Sequence, residues 1–276
     1  MQHRVEQQQE LIGLEGGARS RLPAGEIRSR LRRVETVVLD VDECLLPGYA
    51  QIALGHLAHR YLTREAGRNP ARVGAWLRMT LVGGCLYLLK KFQPSGEGRN
   101  RRLHRNFGHA LRGIPAAEIR RLAPEVWRDL YPGVQDCLAW LCRRVPVGII
   151  SLGLDLALES LPEKLGAPGC PMFLAFARAN RVSWRDGRFD GIVEPWLAGP
   201  ADKAAVLAEL TRAGQAGIPL VVGHNRDESL IAREAFHSGG LAIGIGAGPA
   251  DEAHFQVLLP KGDWPGLARF LAAYWP

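Results

Sequence analysis

The stretch Thr36-Val37-Val38-Leu39-Asp40-Val41-Asp42 decides how this chain is read. A short β-branched apolar run with no polar alternation suits a buried parallel strand. Asp40 and Asp42 follow at its carboxyl end, two positions apart, so both carboxylates can turn toward one crevice once the chain leaves the strand. Taken alone, such a pair is often a solvated turn or a helix cap; the strand in front of it is what makes it worth following. A calcium loop is excluded, because Leu45 stands where the sixth loop position requires glycine.

Working outward, three more apolar runs fit the same pattern. Val145-Pro146-Val147-Gly148-Ile149-Ile150 stops at Ser151, Ile218-Pro219-Leu220-Val221-Val222 stops at Gly223, and Leu241-Ala242-Ile243-Gly244-Ile245 enters a glycine-rich turn. Between them lies a helical pattern, Lys203 to Leu210, with Gly199-Pro200-Ala201-Asp202 as its start signal. Strands alternating with helices predict an α/β fold with a Rossmann-like, doubly wound parallel sheet, in which ligands bind beyond the carboxyl ends of the strands. Asp186-Gly187, set between short runs that can pair, predicts a hairpin over 184–192. Residues 48–133 are helical in pattern and read as an inserted all-α cap, leaving 34–47 and 134–276 as the core. Residues 1–33 read as a polar leader with one or two short helices.

Four places at or just after core-element ends carry candidate chemistry. Asp40 can attack phosphorus, and Asp42 can protonate a leaving oxygen and later activate water. Ser151, followed by Leu152 and Gly153, offers a hydroxyl and backbone amides to a phosphoryl oxygen. A nucleophile elbow is excluded there, since Ile149 occupies a required glycine position. Lys203, a compact ammonium in a chain whose cations are mostly arginine, can neutralise charge in a tight site. Gly223-His224-Asn225-Arg226-Asp227-Glu228 completes the set.

In order and setting these four places resemble the motifs of the haloacid dehalogenase (HAD) superfamily, especially its phosphoserine phosphatase-like branch. The hairpin at 186–193 and the strand near 241–244 resemble that family as well, so the likeness spans about residues 34–47 and 134–276. It implies a phosphatase that hydrolyses a small phosphate monoester through an aspartyl-phosphate. It also implies Mg2+, or Mn2+ in its place, held by the first carboxylate and the backbone carbonyl of the second. The last motif departs from the pattern. The family's magnesium-binding aspartate falls on His224 and its second acid on Glu228, with Asp227 one residue earlier. Three outcomes follow: Asp227 or Glu228 takes over the metal contact, His224 favours a transition metal, or catalysis is lost and the chain is a silent binding protein. We take the first as the expectation, with Asp40, Asp42, Asp227 and Glu228 as the metal set, because Asp40, Asp42, Ser151 and Lys203 are all retained.

The rest of the composition narrows the setting. The 276 residues are 47% hydrophobic and 23% charged, an ordinary globular balance. Five cysteines with no paired spacing point to a reducing, cytoplasmic compartment. No apolar segment follows a basic start at the N-terminus, so neither a secretory signal nor an initial anchor is expected. The net charge of +7, densest around residues 98–105, reads as a solvated surface with no nucleic-acid partner expected. Residues 76–91 are apolar but interrupted by Arg78 and short of the ~20 residues of a spanning helix. They read as a buried cap helix, with contact to an anionic membrane surface as a subordinate reading. A dinucleotide loop at 244–249 is excluded by Pro249.

Overall fold

The computed structural model describes residues 11–92, 96–166, 174–194 and 197–275. The first ten residues of the leader and Cys170 lie outside them. Nine strands form one sheet: β1 (Ile12–Gly13), β2 (Arg19–Ser20), β3 (Thr36–Leu39), β4 (Val147–Leu154), β5 (Phe176–Arg185), β6 (Arg188–Glu194), β7 (Pro219–Gly223), β8 (Leu241–Ile245) and β9 (Val257–Leu259). Their order is β1-β2-β9-β8-β7-β3-β4-β5-β6. The run from β9 to β5 is parallel throughout, while β1, β2 and β6 join antiparallel. The first strand read from sequence therefore sits in the middle, with β7 on one side and β4 on the other.

The helices are α1 (Ala24–Leu31), α2 (Ala50–Ala66), α3 (Val73–Phe92), α4 (Glu97–Leu111), α5 (Ala116–Leu122), α6 (Val134–Cys142), α7 (Asp155–Glu159), α8 (Leu161–Leu165), α9 (Pro200–Arg212), α10 (Ser229–His237) and α11 (Trp264–Tyr274). Successive strand residues face opposite sides of a sheet, and both sides are covered here. Val37, Leu39, Leu220 and Val222 pack into one cluster with Ile27 of α1, Leu138 of α6 and Leu267 of α11. Val38 and Val221 pack into the other with Val206 of α9 and Ile231 of α10. Fully buried strands flanked by helices on both faces are the reason these runs read as continuous apolar stretches.

Three local results differ from the sequence reading. Residues 11–33 are built into the core, because β1 and β2 extend the sheet past β9 and α1 buries Ile27 and Leu31. β4 does not stop before Ser151 but runs on to Leu154, its pairing with β5 shifting register between Ile150 and Leu154. The expected buried helix at 76–91 is α3, and among its described side chains only Met79 is buried. One face of α3 meets α2, where Trp76 donates to Thr63 at 3.2 Å and Thr80 meets His59 at 3.1 Å. Its other face leaves Leu77, Leu81 and Leu88 exposed. No helix among the described residues is long and apolar enough to cross a membrane.

Helices α2 to α5 cover the carboxyl ends of the strands. α4 turns His104, Phe107 and Leu111 inward and Arg102 and Arg105 outward, with Arg99 on the cavity wall. It lies on the β5–β6 hairpin so closely that a Cβ on Gly108 would stand 2.6 Å from the Gly191 carbonyl oxygen. The hairpin turn uses Asp186 and Gly187, both at positive φ, which matches the strand twist.

Candidate active site

Asp40 is the first residue after β3, and its backbone N–H donates to Val222 of β7 at 3.0 Å. Its carboxylate is thus fixed between two parallel neighbours at the sheet's carboxyl edge. Lys203 enters from the first turn of α9, whose N-cap is Gly199 with Pro200 at the first helical position. Its ammonium is almost wholly buried and donates to Asp40 Oδ1 at 2.9 Å and to Glu228 Oε1 at 2.5 Å. Glu228 is fully buried, and its second oxygen accepts from the backbone N–H groups of His224 and Asn225 at 3.2 and 3.1 Å. Gly223 is required beneath it, since a Cβ there would come within 2.4 Å of the Glu228 side chain.

His224 stands over Asp40 from the other side. Its Nδ1 is 3.3 Å from Asp40 Oδ2 and 3.8 Å from Glu228 Oε2, yet it is buried and forms a hydrogen bond with neither. Its Nε2 meets Asn225 Nδ2 at 2.7 Å. Asn225 caps the following turn, its Oδ1 accepting from Asp227 N–H at 2.6 Å within a capping box closed by Glu228.

Asp42 Oδ1 accepts from Ala50 N–H at 2.8 Å, tying the acid to the start of α2. Ser151 Oγ accepts from Gly153 N–H at 3.0 Å, so that amide is already used within the loop. A Cβ on Gly153 would stand 3.2 Å from Ser151 Oγ and 3.9 Å from Asp42 Oδ2. Leu152 and Asp227 line the cavity above the site.

Charge is distributed unevenly in this crevice. Burial alone would raise the Asp40 carboxyl, but Lys203 and then His224 outweigh it and hold it below the usual carboxylate range. Burial, followed by the charge of Asp40, pushes Asp42 up to about 7. Two carboxylates whose environments push them apart divide naturally into a nucleophile and an acid. Burial works against the Lys203 ammonium, yet the charges of Asp40 and Glu228 win and hold it above its ordinary value. Glu228 is raised by burial and by Asp40.

The structure thus brings together Asp40, Lys203, His224 and Glu228 and sets Asp42 and Asp227 on the wall of the same cavity. Ser151 stays buried on β4, its hydroxyl engaged by the Gly153 amide, with its neighbour Leu152 on the wall instead. Two residues escaped the sequence reading. Asn225 orients His224. Asn180, fully buried on β5, donates to the carbonyls of Leu152 and Leu197 at 2.8 Å and accepts from Leu197 N–H at 2.9 Å. It pins the segment leading to Lys203 against β4. Burial, with a contribution from Arg101, lowers its neighbour His104 on α4 to about 4. Asn225 stands inside the last motif, but nothing there signals its role toward the His224 ring, and Asn180 lies in no motif and acts through backbone groups that only the fold brings near. Above the site a cavity of about 950 Å³ opens beneath α2, α3 and α4, bounded there by Tyr49, His56, Met79 and Phe107.

No family model matches this sequence, and no curated protein does. Solved structures do match. Cytosolic 5'-nucleotidase IIIB bound to cytidine aligns over 93% of each chain at 15% identity, with a TM-score of 0.62. A HAD family hydrolase from Salmonella enterica serovar Typhi aligns over 86% of this chain and 70% of its own at 16% identity, with a TM-score of 0.57. A phospho-aspartyl intermediate analogue of phosphoserine phosphatase aligns over 82% and 93% at 19% identity, with a TM-score of 0.55. The chain has the HAD hydrolase fold.

The metal expected from the HAD resemblance can be tested against the donors themselves. By distance, one atom each of Asp40, His224 and Glu228 lie within 4.8 Å of one another. Asp42 and Asp227 are not part of that group. Hydrogen bonding already engages Glu228, one oxygen with Lys203 and the other with two backbone amides. A metal-bound histidine donates its other ring N–H to an acceptor, whereas His224 Nε2 faces an amide N–H donor. As arranged here, His224 and Glu228 are poor ligands for a divalent ion, the one by its ring polarity and the other by its bonds to Lys203 and two backbone amides.

Proposed function

We propose that this chain hydrolyses a phosphate monoester through an aspartyl-phosphate formed on Asp40. The observation that carries this reading is the buried Lys203 ammonium joined to both Asp40 and Glu228 at the floor of a large cavity. Such an arrangement keeps Asp40 ionised and ready to attack while placing positive charge where a phosphoryl group would sit.

The cycle needs two steps. Asp40 forms a bond to phosphorus as the ester P–O bond breaks, and the proton held by Asp42 passes to the leaving oxygen. Water then attacks phosphorus, its proton goes to Asp42, and the Asp40–phosphorus bond breaks to release inorganic phosphate. Asp42, raised to about 7, holds a proton for the first step and can accept one in the second. Lys203 stabilises the transferring group throughout, and Ser151, on β4, is read as offering its hydroxyl to a phosphoryl oxygen. No step here is routed through Mg2+ or Mn2+, since His224 and Glu228 are poorly disposed to hold it.

The cavity of about 950 Å³ is at the upper end of small-molecule sites. It admits a leaving group larger than a single amino acid, with Met79 and Phe107 offering apolar contact. Phosphate release from a panel of esters, running from phosphoserine to nucleotides and aryl phosphates, tests the reading. Turnover of one or more esters by the wild type and its loss in Asp40→Asn supports it. A panel with no turnover, or an undiminished Asp40→Asn, overturns it in favour of a silent binding protein.

A further inference from the structure

We propose that His224 holds a phosphoryl oxygen through its Nδ1–H, at the position where the resemblance places a magnesium ligand, so that the site works without a divalent cation. The inference rests on the phosphatase reading of Asp40 and adds to it the identity of the group that replaces the metal.

The argument is one of hydrogen-bond polarity. An asparagine amide can be placed two ways round, and its network decides between them. Asn225 must direct Oδ1 at the Asp227 N–H, 2.6 Å away, because that bond caps the turn. Its Nδ2 then points at His224 Nε2, 2.7 Å away, and Nε2 must accept. The neutral ring therefore carries its proton on Nδ1, and a charged ring carries one there as well. A metal ion at Nδ1 needs the opposite arrangement.

That Nδ1–H is buried and faces Asp40 Oδ2 at 3.3 Å, a long contact short of a full hydrogen bond. A buried donor met this loosely beside a nucleophile has room to bond an oxygen that arrives with the substrate. A phosphoryl group bonded to Asp40 brings oxygens to that spot. Lys203 supplies the positive charge that the metal would otherwise contribute, from within hydrogen-bond reach of Asp40 Oδ1.

Two single substitutions reverse the polarity. His224→Asp supplies a hard anionic ligand next to Asp40. Asn225→Asp keeps a good N-cap but presents an acceptor to Nε2, which frees Nδ1 to ligate. The experiment measures Mn2+ and Co2+ binding to the full-length wild type and both variants by equilibrium dialysis and by spectroscopy of the ion. It also measures inorganic phosphate binding in the presence of chelator by calorimetry. The expected result is no stoichiometric metal on the wild type, one Mn2+ on His224→Asp and one Co2+ on Asn225→Asp. Phosphate should bind the wild type in chelator and bind His224→Asp at least tenfold more weakly, as expected for loss of a charge-assisted hydrogen bond. A stoichiometric metal on the wild type overturns the proposal, as does phosphate binding that chelator abolishes. Neither binding measurement needs turnover, so an unreactive Asp40 would overturn the phosphatase reading without altering this outcome.

Discussion

Replacing Lys203 by methionine removes the one cation between two buried carboxylates, and the structure gives the size of the effect. The substitution nearly preserves side-chain length, so what is lost is the ammonium that donates to Asp40 at 2.9 Å and to Glu228 at 2.5 Å. Breaking a buried pair by removing one partner costs about 3–5 kcal/mol, because it leaves charge without compensation. Two carboxylates are stranded here, so the loss at pH 8 belongs at the upper end of that range. The pH dependence has a definite sign. In the wild type Asp40 is held below its unfolded value, so its stabilisation is present above the ordinary carboxylate pKa and lost only as pH falls below it. In Lys203→Met burial is opposed only by His224 and the amides on Glu228, so both carboxyls move up from their wild-type values, and folding recovers as pH falls and they take up protons. Urea denaturation at pH 8 and pH 5 measures both numbers. The gap between wild type and variant should be largest at pH 8 and narrower at pH 5, and adding Glu228→Gln should close part of it. A gap under about 1 kcal/mol at pH 8, as for a surface pair, or one that widens toward pH 5, would refute the reasoning.

Two further predictions follow from the site. Asp42 must be protonated to act on the leaving group, so kcat/KM should fall as pH rises through about 7, and Asp42→Asn should remove that limb along with most of the rate. Asn180→Leu strips partners from the Leu152 carbonyl and from both backbone groups of Leu197. At about 1–3 kcal/mol for each buried group left unmet, it should lower stability by about 3 kcal/mol or more in urea denaturation.

How far the sequence could be read depended on whether a feature was local. The central strands announced themselves because burial on both faces makes them short and uniformly apolar, and Asp40 was found by standing at the end of one. Lys203 stood out because it follows Gly199-Pro200 at a helix start in a chain whose cations are mostly arginine. The hairpin was visible in Asp186-Gly187, whose positive φ angles suit those residue types. β1, β2 and β9 were invisible, since strands of two or three residues carry no periodicity and exist only by pairing with β8 and one another. Asn180 and Asn225 were missed for a related reason: each does its work through backbone and ring atoms remote in sequence or ambiguous in polarity. His224 was recognised as a departure from the family pattern, but which of its nitrogens carries the proton is decided by Asn225, and that is a fact of geometry. The exposed face of α3 escaped notice because an apolar helix looks the same in sequence whether one face or both are covered.

The central claim is that Asp40 forms a bond to phosphorus, and trapping that bond tests it most directly. Wild type turning over a phosphate ester is quenched in acid, digested and examined by mass spectrometry for a phosphoryl group on the peptide that spans Asp40. The modification should map to Asp40, be absent from Asp40→Asn and accumulate when Asp42→Asn slows the second step. Hydrolysis that proceeds with the Asp40 peptide unmodified, or with the phosphoryl group on another residue, would contradict the account.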